Sequence, residues 1–259
     1  MELPVDRWYP AIVSRRSRRT YLAEVPAEDV LARLDQVCRE FQPFSEARAL
    51  LVQKSPGAVF KGLIGHYGRV NGAPMYLAFI GKMSSPRVQE AAGYTGEGII
   101  LEATALGLAT CWVGGFFRPK IVRSQIDIQH GERVLSVSPV GYAPMGKTRQ
   151  ETIMSALVKS SLRKPLSELV VGKITAEWME KALEAAQLAP SARNRQPWRF
   201  EIENHAVVIT EDRSFGPSSI SKRLDCGIAM LHFELGARAA GVRGEWEILA
   251  SPCVARFIF

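Results

Sequence analysis

Hydrophobic residues recur at helical spacing near the start of the chain. Between residues 27 and 41 they are separated by steps of four, three and four, with polar residues in between. The apolar positions are Val30, Leu34, Val37 and Phe41. This spacing places one apolar stripe along an amphipathic helix, and Pro43 is expected to end that helix.

Apolar runs and helix-capping residues predict the remaining elements. The run 74–80 predicts a buried strand, and a long helix is expected from Ser84–Pro86 to about Ala109. A second amphipathic helix is predicted after Thr175, and Pro190 ends it. The other predicted segments are a strand at 133–142, a polar and basic connector at 143–173, a hairpin over 199–210 that turns at Asn204, a helix over 221–240, and strands near 245–249 and 254–259.

The two long predicted helices share a pattern of small residues. Gly93, Ala103 and Gly107 each have a counterpart of the same type 134 positions later, and the amphipathic helices before them also match, PAEDVLARL against TAEWMEKAL. The counterparts are Gly227, Ala237 and Gly241. Because glycine costs about 1 kcal/mol relative to alanine inside a helix, so many small residues indicate close helix packing. We therefore predict an internal duplication whose two long helices pack against each other.

The chain of 259 residues has a net charge of +7, and 47% of its residues are hydrophobic. This composition is typical of a globular protein that buries a core without disulfides. A basic protein binds nucleic acid, an acidic membrane or an anionic small molecule. The densest basic cluster, RRSRR at 15–19, suits one phosphate group better than a nucleic-acid duplex, and no broad aromatic and basic surface is evident. We expect a small-molecule ligand and no nucleic acid.

The cysteines and histidines exclude some classes of site. Four cysteines are widely spaced, and no histidine or cysteine pair has metal-ligand spacing, so no metal is expected. Unpaired thiols favour a reducing compartment. The start of the chain lacks the apolar stretch of a signal peptide, and no apolar run approaches the length of a membrane span. We expect a cytoplasmic protein without a membrane anchor.

The first candidate motif is SRRSRRTY at residues 14–21. Arginine side chains bind phosphate oxygens with two parallel hydrogen bonds, and the hydroxyl of Ser17 adds a donor. A solvated basic segment is the alternative interpretation.

The second candidate motif is LAPSARNRQPW at residues 188–198, where Pro190 ends a helix. Ser191, Asn194 and Gln196 offer polar side chains on a stiff loop that suits the edge of a heterocycle. A plain helix-ending turn is the alternative.

The third candidate motif is TCWVGGFF at residues 110–117. Its two glycines leave backbone N–H groups open to a flat ligand. The alternative is a tight turn. A dinucleotide fingerprint is rejected for GYTGEGIIL at 93–101, because Leu101 replaces the last glycine and the segment lies within a helix.

Together the three motifs resemble the nitroreductase family of FMN-dependent α+β flavoproteins. The carrying residues are RRSRR at 15–19, APSARNRQPW at 189–198 and GLATCWVGGF at 107–116, followed by VGYA at 140–143 with Lys147 and Arg149 beyond it. The resemblance implies an α+β nitroreductase-like fold with antiparallel sheets flanked by helices.

The resemblance also implies which residues contact FMN. Arg15, Lys147 and Arg149 would neutralise the phosphate. Arg16, Ser17 and Arg19 would face the pyrimidine edge of the flavin. Backbone amides near the paired glycines would donate to the ring. The complete implied set is Arg15, Arg16, Ser17, Arg19, Trp112, Val113, Gly114, Gly115, Lys147, Arg149, Pro190, Ser191, Ala192, Asn194 and Gln196.

The order of the motifs departs from the family pattern. Ordinary members carry APSxxN directly after the first helix, whereas here it follows the second, and the later half has only SLRKPLS at 161–167 as a poor copy of RRSRR. Because the family forms homodimers that share each flavin, the chain resembles a dimer fused into one polypeptide. We predict two halves, 1–150 and 151–259, that form an intramolecular pseudo-dimer with one FMN site; whether the fused chain dimerises further stays open.

The resemblance implies a reaction without a catalytic side chain. NAD(P)H would reduce the flavin and leave, and an electron-poor acceptor such as a nitroaromatic or a quinone would take its place in a ping-pong cycle. The alternatives are a flavin-binding protein for storage or sensing that does not turn over, and an unrelated basic binding module.

Overall fold

The computed structural model describes residues 1–60, 70–157, 159, 162–212 and 220–259, without the side chains of residues 149, 150, 154 and 157. The elements up to residue 141 are α1 (Val5–Ser14), α2 (Glu28–Glu40), β1 (Ala47–Val52), α3 (Gly57–Phe60), β2 (Met75–Lys82), α4 (Val88–Ala105), β3 (Ala109–Thr110), α5 (Pro119–Arg123) and β4 (Glu132–Gly141). The later elements are α6 (Arg149–Leu157), α7 (Leu166–Leu169), β5 (Val170–Val171), α8 (Glu177–Gln187), a 3₁₀ turn (Ala192–Asn194), β6 (Trp198–Ile202), β7 (Ala206–Glu211), α9 (Lys222–Ala239), β8 (Glu245–Ile248) and β9 (Cys253–Ile258).

The strands form two sheets, one from each part of the chain. The first sheet has the order β1-β2-β4-β3, and its neighbouring strands are antiparallel. The second has the order β5-β6-β7-β9-β8 and is antiparallel except for the β5–β6 pair. Helices flank both sheets, which confirms the predicted α+β class with antiparallel sheets.

The long helices α4 and α9 pack against each other between the two sheets, as the small-residue pattern predicts. A Cβ atom at Gly93 would lie 2.0 Å from the Leu224 carbonyl oxygen, and one at Gly227 would lie 2.1 Å from that of Glu90. The backbones therefore approach closely enough that only glycine fits at either position. This packing accounts for Gly93 and Gly227, whereas Gly107 and Gly241 lie just beyond the helix ends, where φ values of 78° and 83° favour glycine.

Ion pairs inside the protein reinforce the contact between the two parts of the chain. Arg223 at the start of α9 donates to Glu90 of α4 at 2.8 and 3.0 Å, and also to the carbonyl oxygens of Leu249 and Cys253. Glu90 is fully buried. Since a buried carboxylate needs a charged partner, this pair joins α4 to α9 and to the loop between β8 and β9.

Sequence patterns misplace several elements. The helix predicted from Ser84 begins only at Val88, after a turn in which Ser85 Oγ accepts a hydrogen bond from the Arg87 backbone N–H. No pattern predicts α1, which contains Pro10 in its interior and is held in place by the buried Trp8. Strand β1 is also missed, because it does not alternate between buried and exposed positions.

The stretch 143–173 is more than a connector, because it contains α6, α7 and β5. The hairpin β6–β7, with its turn around residue 204, is confirmed. The predicted boundary between residues 150 and 151 falls inside α6. The division into two halves at that boundary stays a prediction.

Candidate functional site

A cavity of about 380 Å³ lies where the two parts of the chain meet. Its volume falls in the range of small-molecule sites, about 300–1,000 Å³. Most of the predicted cofactor residues line it, namely Arg15, Arg16, Ser17, Arg19, Trp112, Val113, Gly114, Gly115, Lys147, Pro190, Ser191, Ala192 and Asn194. The three sequence motifs therefore share one cleft, although their contact with a cofactor stays a prediction.

The arginine-rich segment follows α1 and runs beside β3. Ser17 forms a parallel bridge with Thr110, and the Arg18 backbone N–H donates to the Thr110 carbonyl oxygen at 2.8 Å. Arg18 is not among the lining residues, unlike the residues on either side of it. Its guanidinium instead donates to Glu151 and to the carbonyl oxygens of Pro144 and Gly146.

Arg15 is the most deeply buried cation of the cavity wall. Only 6% of the residue is exposed, and burial lowers the pKa of its guanidinium. Its Nε has no hydrogen-bond partner within the described part of the chain, and the nearest carboxylate oxygen, Glu97 Oε1, is 3.8 Å away. A buried donor without a partner is costly. An acceptor from a bound ligand would relieve that cost.

Arg163 adds positive charge from the later part of the chain. Burial lowers its pKa to about 10, and the nearby charges of Arg15 and Arg16 act in the same direction. It lines the same cavity, where Arg19 and Lys147 are also found. Like charges this close repel one another unless an anion neutralises them, so the cluster suits a phosphate or a similar anion.

Glu151 fixes the arginine-rich segment to the start of α6. Its Oε1 accepts the backbone N–H of Arg19 at 2.7 Å and of Thr20 at 3.2 Å, and its Oε2 accepts that of Thr148 at 2.9 Å. The Thr148 hydroxyl accepts in turn from the Glu151 N–H, which completes a capping box. Burial opposes ionisation, but the hydrogen bonds from Arg18 and the three backbone N–H groups lower the pKa of Glu151 to about 2.

Replacing Glu151 with glutamine is expected to destabilise the protein by about 3 kcal/mol at pH 7, because a carboxylate with a lowered pKa stabilises the fold. That contribution is complete above pH 4.5, the usual pKa of a glutamate, and is lost as the pH falls towards 2. Urea unfolding at pH 7 and pH 3 measures it, with exposed Glu24→Gln as the control. A difference between wild type and Glu151→Gln that is equal at both pH values contradicts the assignment.

Trp112 forms one flat wall of the cavity. Its ring packs on Phe79 with a centroid distance of 4.4 Å, and its indole N–H donates to Glu97 at 2.7 Å. A Cβ at Gly96 would lie 2.4 Å from the indole ring, so glycine is needed there. The next residue, Val113, is paired with Val137 of β4 through two backbone hydrogen bonds. The loop that leads into the paired glycines is therefore anchored to the first sheet.

The loop 190–196 closes the cavity from the later part of the chain. Arg193 and Asn194 adopt left-handed backbone conformations with φ values of 55° and 54°. Ser191 Oγ accepts from the Gln196 backbone N–H at 2.9 Å. Asp225, at the start of α9, accepts from the Ala192 N–H at 3.1 Å and pairs with Arg195 at 2.7 Å. Asp225 thus holds this loop at the cavity.

Two predicted ligands have other bonding partners. The Asn194 amide donates to the carbonyl oxygens of Lys159 and Leu162 and accepts from Arg163, so it positions the basic residue beside it. Gln196 does not line the cavity, because its buried side chain accepts from the Lys164 backbone N–H and donates to the Leu162 carbonyl oxygen. The side chain of Arg149 lies outside the described residues.

The sequence patterns missed several residues of the cavity wall. Arg163 lies in the segment read as a poor copy of RRSRR, and Asp225 and Ile228 lie on α9, which was predicted only as a packing helix. A signal was available for Glu151, since Thr148 and Glu151 have capping-box spacing. Burial raises the pKa of Asp225 to about 6 against the effect of Arg195. Nothing in the sequence pattern indicates that Asp225 and Arg195 contact each other.

Other types of site find no support in the described residues. They contain no cluster of three or more potential metal ligands. None of their helices is both long enough and apolar enough to cross a membrane. The four cysteines are unpaired.

The fold and the cavity define a two-sheet α+β protein whose cavity is lined by several cationic side chains and an indole ring. A family model described as "Putative TM nitroreductase" matches residues 7–237. Because the match covers most of the chain, the chain belongs to this nitroreductase family, a family of oxidoreductases.

Two solved structures and one curated protein are similar to the chain. The match to the crystal structure of a putative nitroreductase from Thermotoga maritima includes 97% of this chain and 93% of that protein's chain, with a TM-score of 0.64 and 21% identity. At this identity the match shows the fold alone. A nitroreductase family protein from Clostridium difficile covers 64% of this chain and 98% of its own, with a TM-score of 0.46 and 21% identity. A curated relative, "Putative NAD(P)H nitroreductase acg" of Mycobacterium tuberculosis, is 33% identical over 84 residues, 30% of this chain and 25% of the relative.

Proposed function

We propose that the chain is an FMN-dependent oxidoreductase that takes a hydride from NAD(P)H and reduces a nitroaromatic, quinone or similar acceptor. The observation that carries the proposal is the cationic cluster at the cavity, in which the buried Arg15 and the half-buried Arg163 come from different parts of the chain. The membership of the chain in a nitroreductase family supports the redox chemistry.

The donors and surfaces of the cavity fit FMN. Its phosphate needs cationic and N–H donors, and the orphaned Nε of buried Arg15 supplies one with no competing hydrogen bond among the described residues. Its ring needs flat apolar surfaces and close backbone approach, which Trp112, Ile228 and Gly114 supply. When bound, FMN supplies a ring that accepts a hydride and passes electrons on.

The side chains of this protein would bind and orient the cofactor. The arginines would neutralise the phosphate and would favour negative charge on the ring. Asp225 holds the loop 190–196 through the Ala192 N–H, so that loop covers the cofactor from the later part of the chain. No side chain is assigned as a catalytic acid in this proposal.

We also propose that the chain is a fused pseudo-dimer that needs no second copy for its site. The two sheets, the packing of α4 on α9 and the cavity walls drawn from both parts of the chain support this arrangement. Gel filtration with light scattering checks the expected mass of one chain. A cytoplasmic location stays a prediction.

The proposed function predicts that the purified protein carries about one FMN per chain. Absorbance of the released flavin against protein concentration measures this ratio. Anaerobic mixing with NADH and with NADPH is expected to bleach the flavin, and a nitroaromatic or quinone is expected to restore its colour. Free FMN at the same concentration is the control.

The possible outcomes distinguish the alternatives. Bound FMN that neither nicotinamide reduces supports a storage or sensor protein instead. A colourless protein that does not bind added FMN contradicts the whole proposal.

A further inference from the structure

Glu97 and His232 form a fully buried pair directly behind the cavity wall. Both side chains have no exposed surface, and His232 Nε2 lies 2.8 Å from Glu97 Oε1. Glu97 belongs to α4 and His232 to α9, so the pair joins the two parts of the chain. Neither residue lines the cavity.

In the earlier part of the chain Glu97 lies next to Trp112 and Arg15, and both of these residues line the cavity. Glu97 Oε2 accepts the indole N–H of Trp112 at 2.7 Å, which fixes the ring plane. Glu97 Oε1 lies 3.8 Å from Nε of Arg15, too far for a hydrogen bond. The carboxylate therefore holds one cavity residue and stands close to a second without bonding it.

The surroundings of His232 determine where its protons lie. Its Nδ1 is 3.1 Å from the Ala185 carbonyl oxygen, which only accepts, so Nδ1 carries a hydrogen. The contact between Nε2 and Glu97 then contains one shared proton, on either the imidazole or the carboxyl. In both arrangements the pair as a whole is neutral, so Glu97 does not depend on Arg15 for a counter-charge.

A second buried glutamate, Glu234, also accepts from a tryptophan indole, but its charge is neutralised by a different kind of residue. Glu234 of α9 accepts from Tyr94 of α4 at 2.6 Å and from the indole of Trp246 at 2.9 Å. Trp246 lies 134 positions after Trp112, the offset of the internal repeat. There Arg238 neutralises the carboxylate directly at 2.8 Å. At the cavity the imidazole of His232 takes that part at 2.8 Å, and the Arg15 guanidinium forms only a longer ion pair with Glu97 at 3.8 Å, without a hydrogen bond.

We infer that Glu97 and His232 are positioning residues: they hold the Trp112 ring in place, and His232 neutralises Glu97 so that Arg15 remains available to an anionic ligand. Without His232, the buried carboxylate would have Arg15 as its nearest cation and would draw that guanidinium away from the cavity. The inference rests on the proposed FMN site only for the choice of ligand.

The test is a double-substitution cycle read out by FMN binding to the full-length protein stripped of flavin. His232→Gln is expected to raise the Kd of FMN at least about tenfold, since Arg15 loses one charge-assisted bond to the ligand. Glu97→Gln is expected to leave the Kd nearly unchanged, because glutamine still accepts from Trp112 and donates to His232. The double variant is expected to recover most of the wild-type affinity, because no buried carboxylate remains to capture Arg15.

The cycle separates this inference from the proposed function. Wild-type protein that does not bind FMN contradicts the proposed function, whereas wild-type binding with an unchanged His232→Gln variant overturns the inference. Failure of the double variant to recover also overturns it, since lost packing would then explain the single variant. If His232→Gln does not fold by circular dichroism, a folded double variant with wild-type affinity supports the inference, and an unfolded one overturns it.

Discussion

Replacing Gly93 with alanine is expected to destabilise the protein by at least about 3 kcal/mol, against the gain of about 1 kcal/mol that alanine gives in an ordinary helix. The added Cβ would lie 2.0 Å from the carbonyl oxygen of Leu224 and 3.1 Å from the backbone nitrogen of Ile228. Backbone atoms cannot rotate away as a flexible side chain does, so α4 and α9 must separate. Urea or thermal unfolding measures the change.

The prediction is specific because alanine normally stabilises a helix relative to glycine, whereas here it is expected to destabilise the protein. Gly227→Ala meets the Glu90 carbonyl oxygen at 2.1 Å and is expected to behave in the same way. Gly57→Ala is the matched control, because the nearest atom to its Cβ is 3.7 Å away, an ordinary contact. A stabilised Gly93→Ala variant would mean that the two helices are not packed as described.

The double variant Arg16→Ala with Arg19→Ala is expected to raise the Kd of FMN about 100-fold. Each arginine lines the cavity, and the loss of two charge-assisted hydrogen bonds at about 1.5 kcal/mol each corresponds to that factor. Unfolding free energy is expected to change little, because Arg16 is exposed and Arg19 is only partly buried. Fluorescence titration of the flavin-free protein with FMN measures the affinity.

The control variant also removes two positive charges, but from exposed residues that do not line the cavity. Arg39 and Arg243 have side chains that are 65% and 77% exposed, and replacing both with alanine is expected to leave FMN affinity within about threefold of wild type, since exposed charges are screened. Equal weakening by both double variants would show that only the net charge matters. Unchanged affinity in the Arg16 and Arg19 variant would mean that neither side chain contacts the cofactor.

The candidate site was only partly predictable from the sequence. Arg15 and Ser191 were found because they belong to compact motifs with a recognisable order. Arg163 and Asp225 were missed, since their part in the cavity depends on where α6, α7 and α9 place them. Gln196 shows the opposite error. It belongs to a candidate motif, but its side chain accepts from the Lys164 backbone N–H and does not line the cavity.

The sequence by itself determined the class of fold, the close pairing of the two long helices and the meeting of the arginine-rich segment with the APSARN loop. The helix pairing follows from glycines at a fixed offset, whereas the class of fold and the meeting of the two motifs follow from their resemblance to a known family. Only the tertiary structure decided which polar side chains face the cavity and which hold the chain together. Arg18 and Arg19 are adjacent in sequence, yet Arg18 bonds Glu151 while Arg19 lines the cavity. The direction of a side chain depends on partners more than a hundred residues away, and a linear pattern does not record them.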